Sequence, residues 1–245
     1  MSDDLSPQDR AKKVCADRAA ALVQNGMKVG LGTGSTAVFL VSRLGERVRE
    51  EGLDITATAT STRTADQARA EGIKVVSLNE AGWLDLTIDG ADEFDADLRL
   101  IKGGGGAHLQ EKVVALASDR MVVIADDTKR VGTLGAFPLP VEVLGFGMTA
   151  TEKRIQDVLA KMDVDARRIT PRMAGDALFV TDEGNHVLDL HLDRIGDPAS
   201  LSLTLNQVPG VVENGLFLDI ADQVIIGYAD GRIEVQDRNG ITEEP

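Results

Sequence analysis

Lys28-Val29-Gly30-Leu31-Gly32-Thr33-Gly34-Ser35-Thr36 passes from a short apolar run through a glycine-rich turn into a helical pattern that continues to about Glu51. That order opens a βα unit. Glycines let the chain turn tightly and let a ligand approach the backbone. Ser35 and Thr36 add hydroxyls, and the start of the helix adds free N–H groups at the positive end of its dipole. A phosphate fits this chemistry; a plain βα turn with Ser35 or Thr36 as helix cap is the alternative. Gly-Lys-Ser/Thr is absent, so this is no Walker loop. A dinucleotide turn needs glycine where Ser35 stands and an acidic residue closing the strand Ile55–Thr60, and neither is present.

Outward from this stretch the alternation repeats. Residues 8–25 read as a helix, with Ala11, Val14, Cys15, Ala19, Leu22 and Val23 near a 3.6-residue period. Strands are expected at Ile55–Thr60, Ile73–Leu78, Leu84–Asp89, Leu98–Ile101 and Met121–Ala125, and helices at Thr64–Glu71 and Ala107–Ser118. Strands alternating with helices predict a doubly wound, mostly parallel sheet of the α/β class.

The texture changes after Asp126. Pro138 and Pro140 make Phe137–Val141 extended. A helix at Thr151–Met162 precedes strands at Arg167–Thr170, Leu178–Thr181 and His186–Leu192, with Asp182-Glu-Gly-Asn185 as a hairpin turn. A short helix covers Ala199–Gln207. Val211–Tyr228 returns to strand and can rejoin the first sheet; the polar tail Gln236–Pro245 is expected to fray. The expected division is an α/β catalytic domain of residues 1–135 and 211–245, and a smaller α+β domain of residues 136–210.

Composition narrows the function. The net charge of -14 argues against a nucleic-acid partner, although a few lysines and backbone N–H groups can still bind a phosphate. No apolar run approaches the roughly 20 residues that span a bilayer, and MSDDLSPQDRAKK has no signal-peptide core. The single Cys15 forms no internal disulfide, so a cytoplasmic protein without membrane contact is expected. His108, His186 and His191 lack ligand spacing and one cysteine builds no zinc site, so no metal is expected. No G-x-S-x-G elbow supports a serine hydrolase.

Two further stretches carry chemistry. Asp89-Gly-Ala-Asp92-Glu93-Phe-Asp95-Ala-Asp97 begins where a strand should end, the place where open α/β sheets bind ligands. Clustered carboxylates suit acid–base work; a solvated acidic loop is the alternative. Lys102-Gly103-Gly-Gly-Gly106-Ala-His108-Leu-Gln-Glu111-Lys112 again joins strand to helix. Its four glycines suggest a ligand against the backbone. Lys102 offers a cation for an oxyanion and Glu111 a carboxylate on the first turns of the helix; ordinary surface charges are the alternative. His108 reads as a helix-surface histidine.

GTGST, DGADE and KGGGG-x4-EK, in this order, resemble the ribose-5-phosphate isomerase type A family. Ile124–Lys129, Phe137–Val143, Pro209–Val212 and Gly215–Phe217 agree as well. The resemblance implies interconversion of D-ribose 5-phosphate and D-ribulose 5-phosphate in the non-oxidative pentose phosphate pathway, through an enediolate and without cofactor or metal. It makes Glu111 the base carrying a proton between C2 and C1. It places Asp89, Gly90, Ala91, Asp92 and Lys102 along the sugar, with Asp89, Asp92 and Lys102 assisting ring opening and stabilising the enediolate. Thr33, Gly34, Ser35 and Thr36 become the substrate loop at the phosphate, and Gly103, Gly104 and Gly105 a binding loop. Lys129 becomes a substrate contact, and Lys12 reaches the phosphate with Lys13 as the rival alignment. A homodimer or homotetramer is implied. Gly106 stands where the family has a small alanine, and a looser loop is expected; His108 stands where an apolar residue is common. The rivals are an amino-sugar phosphate deaminase, an acyl-CoA transferase and a sugar-phosphate sensing module. Lys102 together with DGAD speaks against the first two, and the lack of a basic recognition segment against the third.

Overall fold

The computed structural model describes residues 5–244. In chain order the first elements are α1 (Pro7–Ala20), β1 (Lys28–Leu31), α2 (Ser35–Glu50), β2 (Thr56–Ala59), α3 (Thr62–Ala70), β3 (Lys74–Val75), α4 (Leu78–Ala81) and β4 (Leu86–Gly90). Then come β5 (Glu93–Phe94), β6 (Leu100–Ile101), α5 (His108–Leu116), β7 (Met121–Asp126), a 3₁₀ turn (Asp127–Lys129), β8 (Leu139–Val143) and α6 (Met148–Leu159). The last part holds β9 (Arg168–Pro171), β10 (Met173–Ala174), β11 (Ala177–Leu178), β12 (His186–His191), α7 (Pro198–Leu205), β13 (Val211–Asn214), β14 (Leu216–Phe217), β15 (Gln223–Gly227), β16 (Ile233–Asp237) and β17 (Gly240–Glu244).

The chain divides into two compact units. The first takes residues up to Ala91, Gln110–Lys129 and the chain from Asp219 onward; the second takes Asp92–Leu109 and Arg130–Leu218. The second therefore contains the expected 136–210 and adds residues 92–109, 130–135 and 211–218.

The first unit is built on an eight-stranded sheet in the order β17-β16-β15-β7-β4-β1-β2-β3. β3, β2, β1, β4, β7 and β15 are mutually parallel, and β16 and β17 add an antiparallel edge. The parallel order reverses direction between β1 and β4, and such a switch point opens a crevice beyond the carboxyl ends of the strands. Strand alternation sorts side chains to two faces. Val29 and Leu31 pack with Cys15, Ala19, Leu40, Leu44 and Ala68, so α1, α2 and α3 cover one face. Ala81, Leu84 and Val114 pack together, placing α4 and α5 on the other. This is the doubly wound α/β arrangement expected.

In the second unit β13-β8-β12-β9 form an antiparallel sheet with α6 and α7 on its core, around Leu139, Val141, Ile155, Leu159, Leu188, Leu190, Leu201 and Leu205. A three-stranded sheet, β14-β6-β5, and the β10–β11 hairpin complete it.

Several expectations are corrected. α1 ends at Ala20, because Ala21 and Leu22 turn out of the helix before Asn25-Gly26. The stretch Ile73–Leu78 is strand only at β3; Ser77 and Glu80 form a reciprocal capping box, which starts α4 instead. Asp182–Asn185 is a turn, with Thr181 N–H donating to Asn185 O (2.9 Å), but β11 pairs with β10 and β12 with β8 and β9, so it closes no two-strand ladder. Val211–Tyr228 breaks into three strands, of which only β15 joins the large sheet. The tail does not fray through Glu244: β16 and β17 pair about Asn239-Gly240, while Pro245 lies outside the described residues, as do the first four residues of the polar N-terminus.

Candidate active site

In the first unit the glycines of the β1–α2 turn have distinct tasks. Gly30 pairs with Thr87, and a Cβ on Gly30 would meet Thr87 Oγ1 at 2.1 Å and Val114 Cγ1 at 2.8 Å. A Cβ on Gly32 would lie 1.9 Å from Asp89 Oδ1. Gly34 has φ +126°, a conformation that favours glycine. These three residues let β1 and β4 close on each other and let the chain reverse into α2.

Asp89, at the end of β4, is fully buried. Its Oδ1 accepts the N–H groups of Thr33 (3.1 Å) and Gly90 (2.7 Å). The β1 turn and the end of β4 thus meet at the switch point. The Thr33 hydroxyl is used internally, 2.8 Å from both Thr60 Oγ1 and Ser61 Oγ, and Thr64 Oγ1 donates to Gly32 O (3.1 Å). This cluster of hydroxyls after β2 has no signal in the sequence motif. What the turn offers a ligand is the start of α2, where Gly34 supplies no side-chain cap, and the side chains of exposed Ser35 and half-buried Thr36. Uncapped N–H groups at the head of a helix favour an anion.

Glu111 lies in the first turn of α5 and is 4% exposed. Leu84 N–H donates to Ala117 O (2.9 Å) and Thr87 Oγ1 lies 2.6 Å from Ser118 Oγ, so the end of α5 sits beside the start of β4 and the helix runs against the strand. Val114 meets the level of Gly30 and Thr87. Glu111 is three residues earlier on the same helix face, about 4.5 Å up the axis, while Asp89 is two residues further along β4, about 6.6 Å. Glu111 and Asp89 therefore stand at the same end of the sheet. Lys12 is buried in α1 with Nζ 3.7 Å from Asp9 Oδ1, four residues after Gln8, whose amide reaches Asp126 at the end of β7 (3.4 Å). Lys13 faces solvent and pairs with Asp17. Lys129 ends the 3₁₀ turn after β7. Asp89, Glu111 and Lys129 thus lie at the carboxyl edge of the sheet, and Gln8, one turn before Lys12, reaches that edge at Asp126.

In the second unit the acidic stretch sorts itself. Asp92 Oδ2 accepts the N–H of Gly104 (2.7 Å). Glu93 is structural, accepting Gly135 N–H (2.8 Å) and Phe137 N–H (2.5 Å). Asp95 accepts the N–H groups of Asp97 and Arg99 and pairs with the Arg99 side chain (2.7 Å), and Asp97 is a surface partner of Arg99. The stretch is thus no solvated loop.

Lys102 is 2% exposed, its N–H donates to Gly215 O (2.9 Å), and its ammonium lies 5.3 Å from the centre of the Phe217 ring, a cation–π contact. Gly103 has φ +107°, and the His108 ring fills the space a Cβ would need. That correction is clear: His108 is no surface histidine but fully buried, with Nε2 3.3 Å from Glu213 O. Gly104 and Gly105 are exposed. Gly106 has φ +77° and the Phe179 ring covers it; a Cβ there would lie 2.4 Å from Phe179 Cε1, so the fourth glycine seats a ring rather than loosening the loop.

Residues 56–231 match the family model described as ribose 5-phosphate isomerase A (phosphoriboisomerase A). The chain belongs to the ribose 5-phosphate isomerase A family. A relative named ribose-5-phosphate isomerase A from Ruegeria sp. strain TM1040 is 64% identical over 244 residues, covering 100% of this chain and 93% of its own length. One of the same name from Jannaschia sp. strain CCS1 is 62% identical, with coverage of 100% and 93%. Among solved structures, the ribose 5-phosphate isomerase from Plasmodium falciparum superposes with a TM-score of 0.87 at 32% identity, over 94% of this chain and 99% of that one. A D-ribose-5-phosphate isomerase solved in complex with phospho-erythronic acid gives 0.84 at 33% identity, over 97% and 98%.

Within the ribose 5-phosphate isomerase A frame, the structure brings Thr33 to Asp89 and Gly104 to Asp92, and sets Glu111 at the level of Asp89. Among the described residues no group of three or more His, Cys, Asp and Glu side chains could hold a metal ion, and no helix is long and apolar enough to cross a membrane. His186 and His191 serve packing, through Phe179 O (2.9 Å) and Thr170 Oγ1 (2.9 Å). Motif reading missed Thr60, Ser61 and Thr64, none of which lies within a glycine-rich stretch, and gave Phe217 no place beside Lys102.

Proposed function

We propose that this chain interconverts D-ribose 5-phosphate and D-ribulose 5-phosphate in the non-oxidative pentose phosphate pathway, with Glu111 as the base. Membership of the family supports the reaction. The observation that carries the residue assignment is the buried Glu111 carboxylate at the level of Asp89, at the carboxyl end of the sheet.

Gly34, Ser35 and Thr36 at the head of α2, with Thr33 holding the substrate loop to Asp89 and with Lys12 and Lys129 as aids, bind the phosphate. That remote binding energy holds the sugar in register for the chemical step. Asp89 and Asp92 assist ring opening to the free aldehyde, and Gly90 and Ala91 line the sugar between them. Glu111 then takes the C2 proton, and the C2–H electron pair becomes the C1–C2 double bond of an enediolate. The C1 oxygen gains the negative charge, which Lys102 and the backbone of Gly103, Gly104 and Gly105 stabilise. Glu111 returns the proton to C1 while the O2 proton passes to O1, giving the ketose. A carboxylate shielded from bulk water suits both transfers. The whole uses side chains and backbone, with no cofactor or metal, in a cytoplasmic homodimer or homotetramer.

A coupled assay of ribose 5-phosphate conversion in excess EDTA tests this. Turnover is expected at the rate seen without chelator. Absence of turnover, or turnover restored only by a divalent ion, contradicts the reading.

A further inference from the structure

The glycine loop that follows Lys102 is held by a side chain about seventy residues further along the chain. Arg172, between β9 and β10, has its own backbone fixed on both sides: its N–H donates to Val187 O (2.8 Å), and its C=O accepts from Phe179 N–H (2.9 Å). The guanidinium then divides its donors. Nε bonds Asp189 Oδ2 (3.0 Å) and Nη2 bonds Asp189 Oδ1, a two-point pairing on β12. Nη1 donates to Gly103 O (2.7 Å) and Gly104 O (3.2 Å). The Phe179 ring, which seats on Gly106, lies 5.9 Å from the guanidinium carbon.

Only a planar fork of five donors can hold one carboxylate in two-point fashion and two carbonyls at once. In a trans peptide the C=O and the next N–H point in opposite directions. Pulling Gly103 O toward Arg172 therefore turns the Gly104 N–H away from it, and that N–H is the one Asp92 accepts. Pulling Gly104 O the same way turns the Gly105 N–H to the opposite side, on the exposed part of the loop. Four glycines have no intrinsic preference for these directions; Arg172 supplies it.

We propose that Arg172 is a positioning residue for the isomerase reaction: anchored on Asp189, it sets the peptide planes of Gly103–Gly105, and thereby both the Asp92 carboxylate and the N–H groups offered to substrate. This rests on the reading that the glycine loop contacts the sugar phosphate.

The test compares wild-type protein with Arg172→Ala, and with the double variant Arg172→Ala/Asp189→Ala, which leaves no lone half-buried carboxylate should the single variant fold poorly. Hydrogen exchange of the 103–106 amides reads the loop directly, without substrate. It should accelerate at least about tenfold while exchange in β7 and β15 stays as in wild type. Turnover of ribose 5-phosphate should lose about 10²-fold in kcat, with KM within about twofold, because the phosphate contacts are untouched. Millimolar guanidinium should restore part of that kcat in Arg172→Ala. Unchanged exchange at 103–106, or faster exchange with unchanged kcat, overturns the proposal. A wild-type protein inactive on ribose 5-phosphate overturns the functional reading instead, and the exchange measurement still judges Arg172.

Discussion

Replacing Gly32 by alanine drives a methyl group into the junction of β1 and β4. Its Cβ would sit 1.9 Å from Asp89 Oδ1, 2.1 Å from Cγ and 2.6 Å from the Asp89 Cα, where ordinary contact begins at 3.4 Å. Rotating Asp89 relieves the first two overlaps and not the third, because Cα is backbone. The strand ends must part by close to 1 Å, and the Thr33 N–H···Asp89 bond is lost with them. Overpacking of this kind costs about 1–3 kcal/mol, and a hydrogen bond to a charged group adds about 1.5–3 kcal/mol. Their combined effect, about 3–5 kcal/mol, lowers Tm by about 10 °C in a chain of this size. A displacement of about 1 Å at a substrate-positioning group lowers kcat/KM about 10²-fold. Thermal unfolding followed by circular dichroism, with the coupled isomerase assay, reads both. Gly132→Ala is the control: its Cβ would meet nothing within 4 Å and its φ is not positive, so stability should hold or rise by a few tenths of a kcal/mol. A Gly32→Ala protein with wild-type Tm and kcat/KM would refute the idea that the close approach of these strands fixes Asp89.

Glu111→Gln should lower kcat by at least about 10²-fold while substrate still binds; near-normal turnover removes Glu111 from the proton transfer. Glu142, buried in β8 and accepting from Thr181 Oγ1 (2.8 Å) and Asn185 Nδ2 (2.9 Å), has its carboxyl pushed above the usual range, first by burial and then against those hydrogen bonds by the charges of Glu183 and Glu213. A raised folded-state value means its contribution is fully present below the unfolded carboxyl pKa and is lost as pH rises through the raised one. Glu142→Gln should therefore flatten the fall of stability across that window in denaturant titrations; an unchanged slope contradicts the assignment. Cys15 is buried and its thiol is pushed up to about 12, chiefly by burial and then by the charge of Asp126. A thiol reagent at neutral pH should label no cysteine in the native protein and one after unfolding.

Patterns that act within a few residues were legible. The strand–turn–helix at 28–36 and the strand ends at Asp89 and Lys102 could be read because glycines and hydrophobic periods act locally. The Ser77–Glu80 capping signal was there to see, yet the apolar run from Ile73 pointed to strand; the local cap won. Asn239-Gly240 is a strong hairpin signal, masked by the polar residues from Gln236 onward, although Val235 just before them buries against the α1–α2 core. His108 looked like a surface group because its burial depends on the missing side chain of Gly103, a relation in space. Arg172 and Phe179 lie far along the chain from the loop they hold, and Thr60 and Ser61 become a hydroxyl cluster only once β1 and β2 pair; nothing in the order of residues announces either. The acidic stretch gave its composition but not its division of labour, since only the fold tells Asp92 from Glu93 and Asp95.

The placement of β15 inside the large sheet has a consequence for biosynthesis. β7 leaves the ribosome about a hundred residues before the strand that pairs along its flank, and every residue from Met121 to Asp126 is buried in the finished sheet. Until Gln223–Gly227 emerges, that row of backbone groups and its apolar side chains lacks a permanent neighbour. Open flanks of this kind seed self-association. A nascent chain stalled near Leu218 should be a substrate for holdase chaperones, and a product truncated there should collect in inclusion bodies.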